Sequence, residues 1–417
     1  MCGNKESTDA IPPSPARRLP RTPASASTPS ARTSYETTIS SSARTPFYPS
    51  SSNKNSSTAS TSSHTSSLAS LRDSLPENPH IYSFHEIAAA TNNFLAPRIS
   101  ASSAAWRCSV RDKDVVVIQR RLHRPLPTSE LRRRLAILCK SHHAALAKLL
   151  GAALSGDYIY IVYEFVKGAN LFECLRNPRN PEYTVLGTWL SRMQIAEDVA
   201  HGLEYMHHST GLDLVLVHNH IKSSTIILTD PDLRAKICHF GMAELTGEIA
   251  DEPVGEIEEE GALRRSASRT TKVEGTRGYM APEIIAGGNA SQKSDVYAVG
   301  VVLLELLSGA EALKYRFDKR TGDYERVSQI AMAAEAAEAE DDGKLRRWID
   351  RRLRDSYPTD VAKKLTRLAL ECVHVEADKR PDMSRVKGKI SRHYLESKAW
   401  SDKVKIPTEF TVSVAGR

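Results

Sequence analysis

The chain reads VHNHIKSSTIIL at residues 217–228 and ICHFGMAEL at residues 237–245, and these two stretches decide the fold. Three further patterns surround them in order: IVYEF (161–165), GTRGYMAPE (275–283) and KSDVYAVGVVLLE (293–305). Five patterns in a fixed order are much more specific than any one of them alone. Together they indicate one large domain.

Hydrophobic periodicity predicts an N-terminal part built from strands and a later part built from helices. Alternating apolar residues at 115–119 and 158–165 predict strands. Helical spacing predicts four helices, at residues 129–140, 189–208, 293–308 and 359–373.

Composition excludes several classes of protein. The net charge of +7 is small for 417 residues and opposite charges are interspersed, so we expect no nucleic-acid partner. Six scattered cysteines without a CxxC pair predict free thiols in a reducing compartment. The longest apolar run, near residues 296–307, contains Glu305 and is too short for the roughly 30 Å core of a bilayer.

The chain divides into three regions by composition. Residues 1–80 are rich in Ser, Thr and Pro and predict a disordered tail, residues 81–395 a globular domain, and residues 396–417 a C-terminal tail. Within the domain, seven acids at 248–260 predict a solvated insert, and the acidic, Ala-rich stretch 333–342 predicts an exposed helix.

The five patterns resemble those of plant receptor-like and receptor-like cytoplasmic kinases. IYSFHEIAAATNNF (81–94) resembles the segment that precedes the catalytic domain in the LysM receptor-like kinase branch. The resemblance covers residues 81–395. It implies an α+β, two-lobed protein kinase fold, with an antiparallel sheet and one helix in the N-lobe and a larger helical C-lobe.

The parts that hold ATP phosphates depart from the pattern of that family. A kinase covers the phosphates with a Gly-rich turn and pairs them with a strand lysine, which in turn binds a helix glutamate. The corresponding loop, RISASSAAWRCSV (98–110), contains no glycine, which alone permits the close backbone approach. Gln119 stands where the lysine is expected and Arg134 where the glutamate is expected.

The catalytic loop departs from the pattern as well. His220 replaces the aspartate base, Thr225 the metal-binding asparagine, and His239 the magnesium-binding aspartate of DFG. Lys222 alone survives among the polar catalytic groups. A general base contributes about 10²–10⁴-fold to the rate, and magnesium prefers hard oxygen ligands. We therefore expect negligible phosphoryl transfer and no intact catalytic residue.

Residues that hold the fold together are retained. In the family resembled, a histidine and a phenylalanine contribute to an internal hydrophobic spine, an aspartate braces the catalytic loop, and a glutamate and an arginine form an ion pair. The retained structural residues are His218, Phe240, Gly241, Glu283, Asp295 and Arg380. This pattern predicts loss of chemistry with retention of shape.

The leading functional prediction is a signalling pseudokinase that acts as an adaptor or allosteric partner of an active plant receptor-like kinase. One rival is an atypical Ser/Thr kinase with weak ATP-dependent activity, and another is an interaction protein that works through its tail. ATP without magnesium is the one cofactor left open, at the hinge formed by Tyr163, Glu164 and Phe165.

Three further sites are hypotheses from local sequence. Hydroxyls beside arginines make Ser266, Ser268, Thr270 and Thr271 candidate phosphoacceptors. His220 and His239 form a low-ranked zinc pair, against the favoured interpretation of solvated histidines. We expect a cytoplasmic location, with the inner face of the plasma membrane as the alternative if Cys2 is acylated rather than simply exposed.

Overall fold

The computed structural model describes residues 79–100, 103–179, 185–211, 215–249, 275–317, 322–338 and 342–404. The predictions made for the N-terminal tail with Cys2, for most of the acidic stretch, for the four candidate phosphoacceptors and for the end of the C-terminal tail lie outside these residues.

The N-lobe is a six-stranded sheet with the strand order β1-β5-β6-β4-β3-β2. All neighbouring pairs are antiparallel except β1 with β5. The strands are β1 (His80–Ile81), β2 (Arg98–Ser100), β3 (Ser103–Val110), β4 (Lys113–Arg121), β5 (Leu149–Ser155) and β6 (Tyr158–Glu164).

One helix covers each face of this sheet. Helix α1 (Phe84–Ala90) begins at a capping box, in which the Glu86 backbone N–H donates to Ser83 Oγ and the Ser83 N–H donates to the Glu86 carboxylate. Ile87 of α1 is buried in the outer core of the lobe. Helix α2 (Thr128–Leu138) contributes leucines to the inner core that the sheet shares with the C-lobe.

The C-lobe is helical. Helix α7 (Gln292–Ser308) is buried on nearly all sides, as its continuous apolar sequence predicts. The helix at Thr359–Cys372 packs against it, and the helix at Met383–Val404 packs along the one at Trp189–Glu204. The other helices are α3 (Leu171–Arg176), α4 (Trp189–Glu204), α5 (Met242–Thr246), α6 (Pro282–Ile285), α8 (Gln329–Glu338), α9 (Asp342–Trp348), α10 (Thr359–Cys372) and α11 (Met383–Val404).

Two small sheets complete the C-lobe. Strands β7 (Gly168–Asn170), β8 (Ile226–Thr229) and β9 (Ala235–Ile237) form a three-stranded antiparallel sheet. The catalytic loop, residues 218–225, leads directly into β8. Strands β10 (Leu313–Phe317) and β11 (Tyr324–Ser328) form a separate antiparallel pair. The predicted two-lobed α+β fold is confirmed.

Periodicity located the helices α2, α4, α7 and α10 and the strands β4 and β6, but it did not predict α11, the longest helix among the described residues, and it misjudged one surface helix. Helix α8 begins at Gln329, and Ala333, Ala336 and Ala337 are buried, so the prediction of an exposed helix was wrong. Alanines at that spacing form a narrow stripe that packs closely. Helix α11 continues to Val404, beyond the expected domain end at residue 395.

Membrane and thiol predictions also have counterparts in the structure. Within the described ranges, no helix combines the length and apolarity that crossing a bilayer requires. The cysteines in these ranges, Cys108, Cys139, Cys174, Cys238 and Cys372, are free thiols.

The Glu283–Arg380 pair ties α6 to the segment before α11. Arg380 is fully buried, and its Nη1 and Nη2 atoms donate to the two Glu283 carboxylate oxygens at 2.7 Å each. Its remaining donors bind backbone carbonyls, including that of His374. Burial opposes ionisation of Glu283, but the Arg380 hydrogen bonds hold the pKa of this carboxyl below its ordinary value.

Replacing Glu283 by alanine should leave Arg380 buried without its carboxylate. We expect Glu283→Ala to lower the free energy of unfolding by about 3 kcal/mol, measured by urea denaturation. The matched control is Glu376→Ala, which removes an exposed carboxylate paired with Lys379 and should change stability by less than about 1 kcal/mol. Equal effects of the two substitutions would contradict a structural role for the buried pair.

Candidate functional site

Gln119 does not face the cleft between the lobes. It pairs with Tyr160 across β4 and β6, and its Nε2 donates to Tyr160 Oη at 3.2 Å. Tyr160 belongs to the outer core, together with Val117 and Val162. The prediction that Gln119 takes the place of the phosphate-contacting lysine was therefore wrong about the face of the strand.

The inner face of β4 carries Ile118 and Arg120 instead, because side chains alternate along a strand. Ile118 is buried in the inner core opposite Ile161. Arg120 follows on the same face, and its charge contributes, after desolvation and His220, to lowering the pKa of His239. The sequence VVVIQRR did not reveal the face, because only the pairing with β6 decides it.

Arg134 joins α2 to the short helix α5, which follows His239-Phe240-Gly241 directly. Its Nε donates to Glu130 Oε1 at 2.7 Å, and its Nη1 donates to the Glu244 carbonyl oxygen at 2.6 Å. The helix position that supplies a glutamate in active kinases therefore holds a cation here, and it binds the activation segment.

Helix α5 is fixed against the N-lobe from two further directions. The His123 N–H donates to the Thr246 carbonyl at 2.9 Å, and Arg124 Nη2 donates to the Ile249 carbonyl at 2.7 Å. Gly241 has φ +73°, and a Cβ there would lie 2.9 Å from Leu138 Cδ1. Glycine is therefore required both for the left-handed backbone and for the close approach of α2.

Asp295, in the first turn of α7, braces the catalytic loop. Its Oδ2 accepts from the His218 N–H at 2.7 Å and its Oδ1 from the Asn219 N–H at 2.8 Å, while His207 Nε2 lies 3.0 Å from Oδ2. His218 Nε2 lies 2.8 Å from the Cys238 carbonyl oxygen, and burial lowers the pKa of His218 to about 4. A neutral, buried His218 links the loop to the strand before His239.

Thr225 closes the loop on itself. Its Oγ1 is 2.8 Å from the His220 carbonyl oxygen and 3.0 Å from that of Lys222, and it accepts from the Lys222 N–H at 3.1 Å. The hydroxyl is used within the loop, so it is not directed at a metal. Lys222 Nζ in turn donates to Thr276 Oγ1 at 3.0 Å.

Glu248 inserts its carboxylate against the catalytic loop. Its Oε2 lies 2.8 Å from His220 Nε2 and accepts from Asn219 Nδ2 at 2.9 Å, while its Oε1 accepts from Thr246 Oγ1 at 3.0 Å. The approach to the imidazole lies off the direction of a well-formed hydrogen bond, so this contact is mainly electrostatic. The expectation of a solvated insert was wrong at its first residue, Glu248, whose side chain is 13% exposed.

His239 occupies the position of the magnesium aspartate without replacing its chemistry. Its backbone has φ +74°, and burial holds the pKa of its imidazole well below the ordinary value. Its ring lies 6.3 Å from that of His220. Together with the engaged hydroxyl of Thr225, these positions offer no carboxylate, so magnesium does not fit this donor set. In the part of the chain described, no group of three or more His, Cys, Asp or Glu side chains is placed to hold a metal.

The predicted hinge residues make contacts inside the protein. Tyr163 Oη donates to the Phe240 carbonyl at 2.9 Å and is buried. The Glu164 carboxylate accepts from Lys236 Nζ at 2.9 Å, and the Arg107 guanidinium lies 3.7 Å from the centre of the Phe165 ring. The side chains of the hinge thus join the two lobes and the strands beside them.

Removing the charge of Glu248 should weaken the closed loop. Burial opposes ionisation, but His220, Asn219 and Thr246 hold the pKa of Glu248 at about 2, below its ordinary value of 4.5. A lowered carboxyl pKa stabilises the fold fully above about pH 5, and this contribution is lost as the pH falls through about 2. We expect Glu248→Gln to lower the free energy of unfolding by about 2 kcal/mol at pH 7.

The difference in free energy of unfolding between the natural chain and Glu248→Gln should shrink as the pH is lowered from 5 to about 3. In this range the Glu248 carboxylate of the natural chain becomes protonated in the unfolded state, so its charge contributes less to stability. Urea denaturation at several pH values measures this difference. Glu371→Gln, which removes a half-exposed acid paired with Lys389, is the control and should have a small effect at every pH. A deficit that stays constant over this range would show that charge is not what Glu248 contributes.

Comparisons with known proteins agree with this architecture. Residues 107–389 match the protein kinase domain. LysM domain receptor-like kinase 3 of Arabidopsis thaliana is 34% identical over 331 residues, which cover 78% of this chain and 48% of that protein. Chitin elicitor receptor kinase 1 of Physcomitrium patens is 34% identical over 312 residues, covering 72% of this chain and 44% of that protein. The chain thus spans about half the length of these relatives.

A solved structure gives the same result for the fold. The pseudokinase domain of BIR2, described as an immune regulator of the RLK/Pelle family, superposes with a TM-score of 0.55 at 23% identity, covering 82% of this chain and 99% of that one. With the kinase domain match extending over both lobes, from β3 into α11, this chain belongs to the protein kinase family, and its relatives include plant LysM receptor-like kinases.

Proposed function

We propose that this chain is a pseudokinase that works by binding, as an adaptor or allosteric partner of an active plant receptor-like kinase. The observation that carries the proposal is the catalytic loop, where His220 stands in the place of the base and is held by Glu248 from the chain's own activation segment. A histidine paired with a carboxylate in that place does not orient a substrate hydroxyl as an aspartate does.

The size of the missing contributions supports inactivity. A general base contributes about 10²–10⁴-fold, and electrostatic stabilisation of the transferring phosphoryl group contributes several kcal/mol more. Arg134 and His239 stand at positions where an active kinase places the acidic partner of the strand cation and a metal ligand. Arg120 and Lys222 supply positive charge to the cleft, but neither coordinates a metal.

The retained fold supports a binding role. Asp295, Arg380 and the packed hinge keep both lobes in a kinase-like shape, which a partner kinase can recognise as a surface. The relatives are receptor-like kinases, and BIR2, which shares the fold, is described as an immune regulator. We place the chain in the cytoplasm, where such kinase domains would meet it.

Phosphoryl transfer is tested directly with the full chain, radiolabelled ATP and magnesium or manganese. We expect no incorporation into the chain itself or into a generic protein substrate above the level of a heat-denatured sample. An active receptor-like kinase domain serves as the positive control. Incorporation that disappears in a Lys222→Ala variant would instead establish a weak atypical kinase, because Lys222 is the one retained polar catalytic group.

The adaptor role is tested with an active LysM receptor-like kinase domain as the partner. We expect the full chain to bind that domain in analytical ultracentrifugation and to change its rate of substrate phosphorylation at least about two-fold. The control is the Glu283→Ala variant, which should neither bind the partner domain nor change its rate at temperatures where the variant is unfolded. Absence of both binding and a rate change across several LysM kinases would overturn the partner assignment.

A further inference from the structure

We propose that the catalytic loop of this protein is a binding site for a phosphorylated side chain of another protein, and that Glu248 occupies this site in the closed state. The inference rests on the proposed function, because it assigns a binding role to a loop that performs no transfer. The ligand chemistry is a phosphate monoester, carried on a protein rather than free in solution.

The first step is the polarity of the loop. The position of the base, which in an active kinase is a carboxylate, is occupied by His220, whose Nε2 is directed to the activation segment. Asn219, held in the left-handed region at φ +62°, directs its Nδ2 donor to the same point. The carboxylate that would repel an incoming phosphate is thus replaced by groups that attract an anion.

The second step is that an anion already occupies the point where these donors meet. Glu248 places Oε2 2.8 Å from His220 Nε2 and 2.9 Å from Asn219 Nδ2, although burial opposes ionisation of its carboxyl. The pKa of Glu248 nevertheless falls to about 2. The His220 imidazole and the Asn219 amide at Oε2, with the Thr246 hydroxyl at Oε1, therefore favour negative charge at this point.

The third step is the surrounding field. Lys222, next to this point in sequence, is linked to Thr276, and Arg120 is close enough to lower the pKa of Lys222 after burial has done so. The ring of His239 lies 6.3 Å from that of His220. Arg120 and Lys222 both lie close enough to lower the pKa of His239, and the nearby carboxylates are those of Glu248 and of Asp295, which is already engaged by the His218 and Asn219 N–H groups. A phosphate monoester carries more charge than a carboxylate and has three acceptor oxygens, so it makes better use of this field.

An incoming anion can replace the Glu248 carboxylate at this point. Glu248 lies two residues beyond Thr246, where α5 ends, and the helix itself is held independently by Arg134 and by the His123 N–H. Rotation of the Glu248 side chain away from the loop therefore leaves these contacts of α5 in place. The carboxylate acts as an internal competitor that a stronger anion displaces.

The site is tested by isothermal titration calorimetry on the full chain. The probes are a short peptide of otherwise neutral residues with one phosphoserine, its unphosphorylated twin, and inorganic phosphate. Glu248→Gln should bind the phosphopeptide about ten-fold or more tightly than the natural chain, because removing a charge-assisted competitor is worth at least one order of magnitude. Adding His220→Ala to Glu248→Gln should abolish the gain.

The matched control is Glu371→Gln, which removes one surface charge far from the loop in sequence and should leave the affinity of the natural chain unchanged. Equal affinities of Glu248→Gln and the natural chain would overturn the proposal. So would equal binding of the unphosphorylated twin. Binding of inorganic phosphate without binding of the phosphopeptide would overturn the assignment to a protein-borne group.

A second measurement does not depend on the variants. Saturating phosphopeptide should speed amide hydrogen exchange at least about two-fold in the peptide that covers residues 242–249 of the natural chain, because Glu248 leaves the loop. Unchanged exchange there, with the phosphopeptide bound, would show that the ligand sits elsewhere. Failure of these tests leaves the transfer assay unaffected, so the inference and the proposed function fail separately.

Discussion

The buried carboxylate of Asp295 is the constraint on which the site depends. It accepts two consecutive backbone N–H groups of the catalytic loop and contacts buried His207, so it fixes the path of the loop by main-chain hydrogen bonds. These main-chain hydrogen bonds do not depend on which side chains the loop residues carry. The side chains at the reactive positions can therefore differ from those of an active kinase while the loop keeps its shape.

The substitutions form a connected set in the folded molecule. His220 contacts the Glu248 carboxylate, and Arg134 binds the Glu130 carboxylate and a backbone carbonyl of α5. The side chains at the positions that are catalytic in active kinases therefore have partners. Unpaired buried charges would cost several kcal/mol each. Residues 244–249, the described start of the activation segment, are thereby tied to Arg134 and Arg124 of the N-lobe and to the catalytic loop of the C-lobe.

Sequence alone predicted the elements that repeat a local pattern. The strands around Ile118 and Tyr160, the helices α2, α4, α7 and α10, and the scaffold residue Asp295 follow from periodicity or from fixed spacing between motifs. It failed where a distant partner decides the outcome. Gln119 was assigned to the wrong face because the pairing of β4 with β6 fixes the face, and Glu248 was assigned to solvent because His220 lies 28 residues away in the chain. Local composition carries no record of such contacts.

We expect this fold to bind no magnesium–nucleotide complex. Electron paramagnetic resonance of Mn²⁺ with ATP tests it most directly, since Mn²⁺ takes the same oxygen ligands and its signal reports binding. We predict that adding the full chain to a Mn²⁺–ATP solution leaves the spectrum unchanged up to high protein concentration. A stoichiometric, saturable change in the Mn²⁺ signal, lost on substitution of Thr225 or His239, would contradict the account.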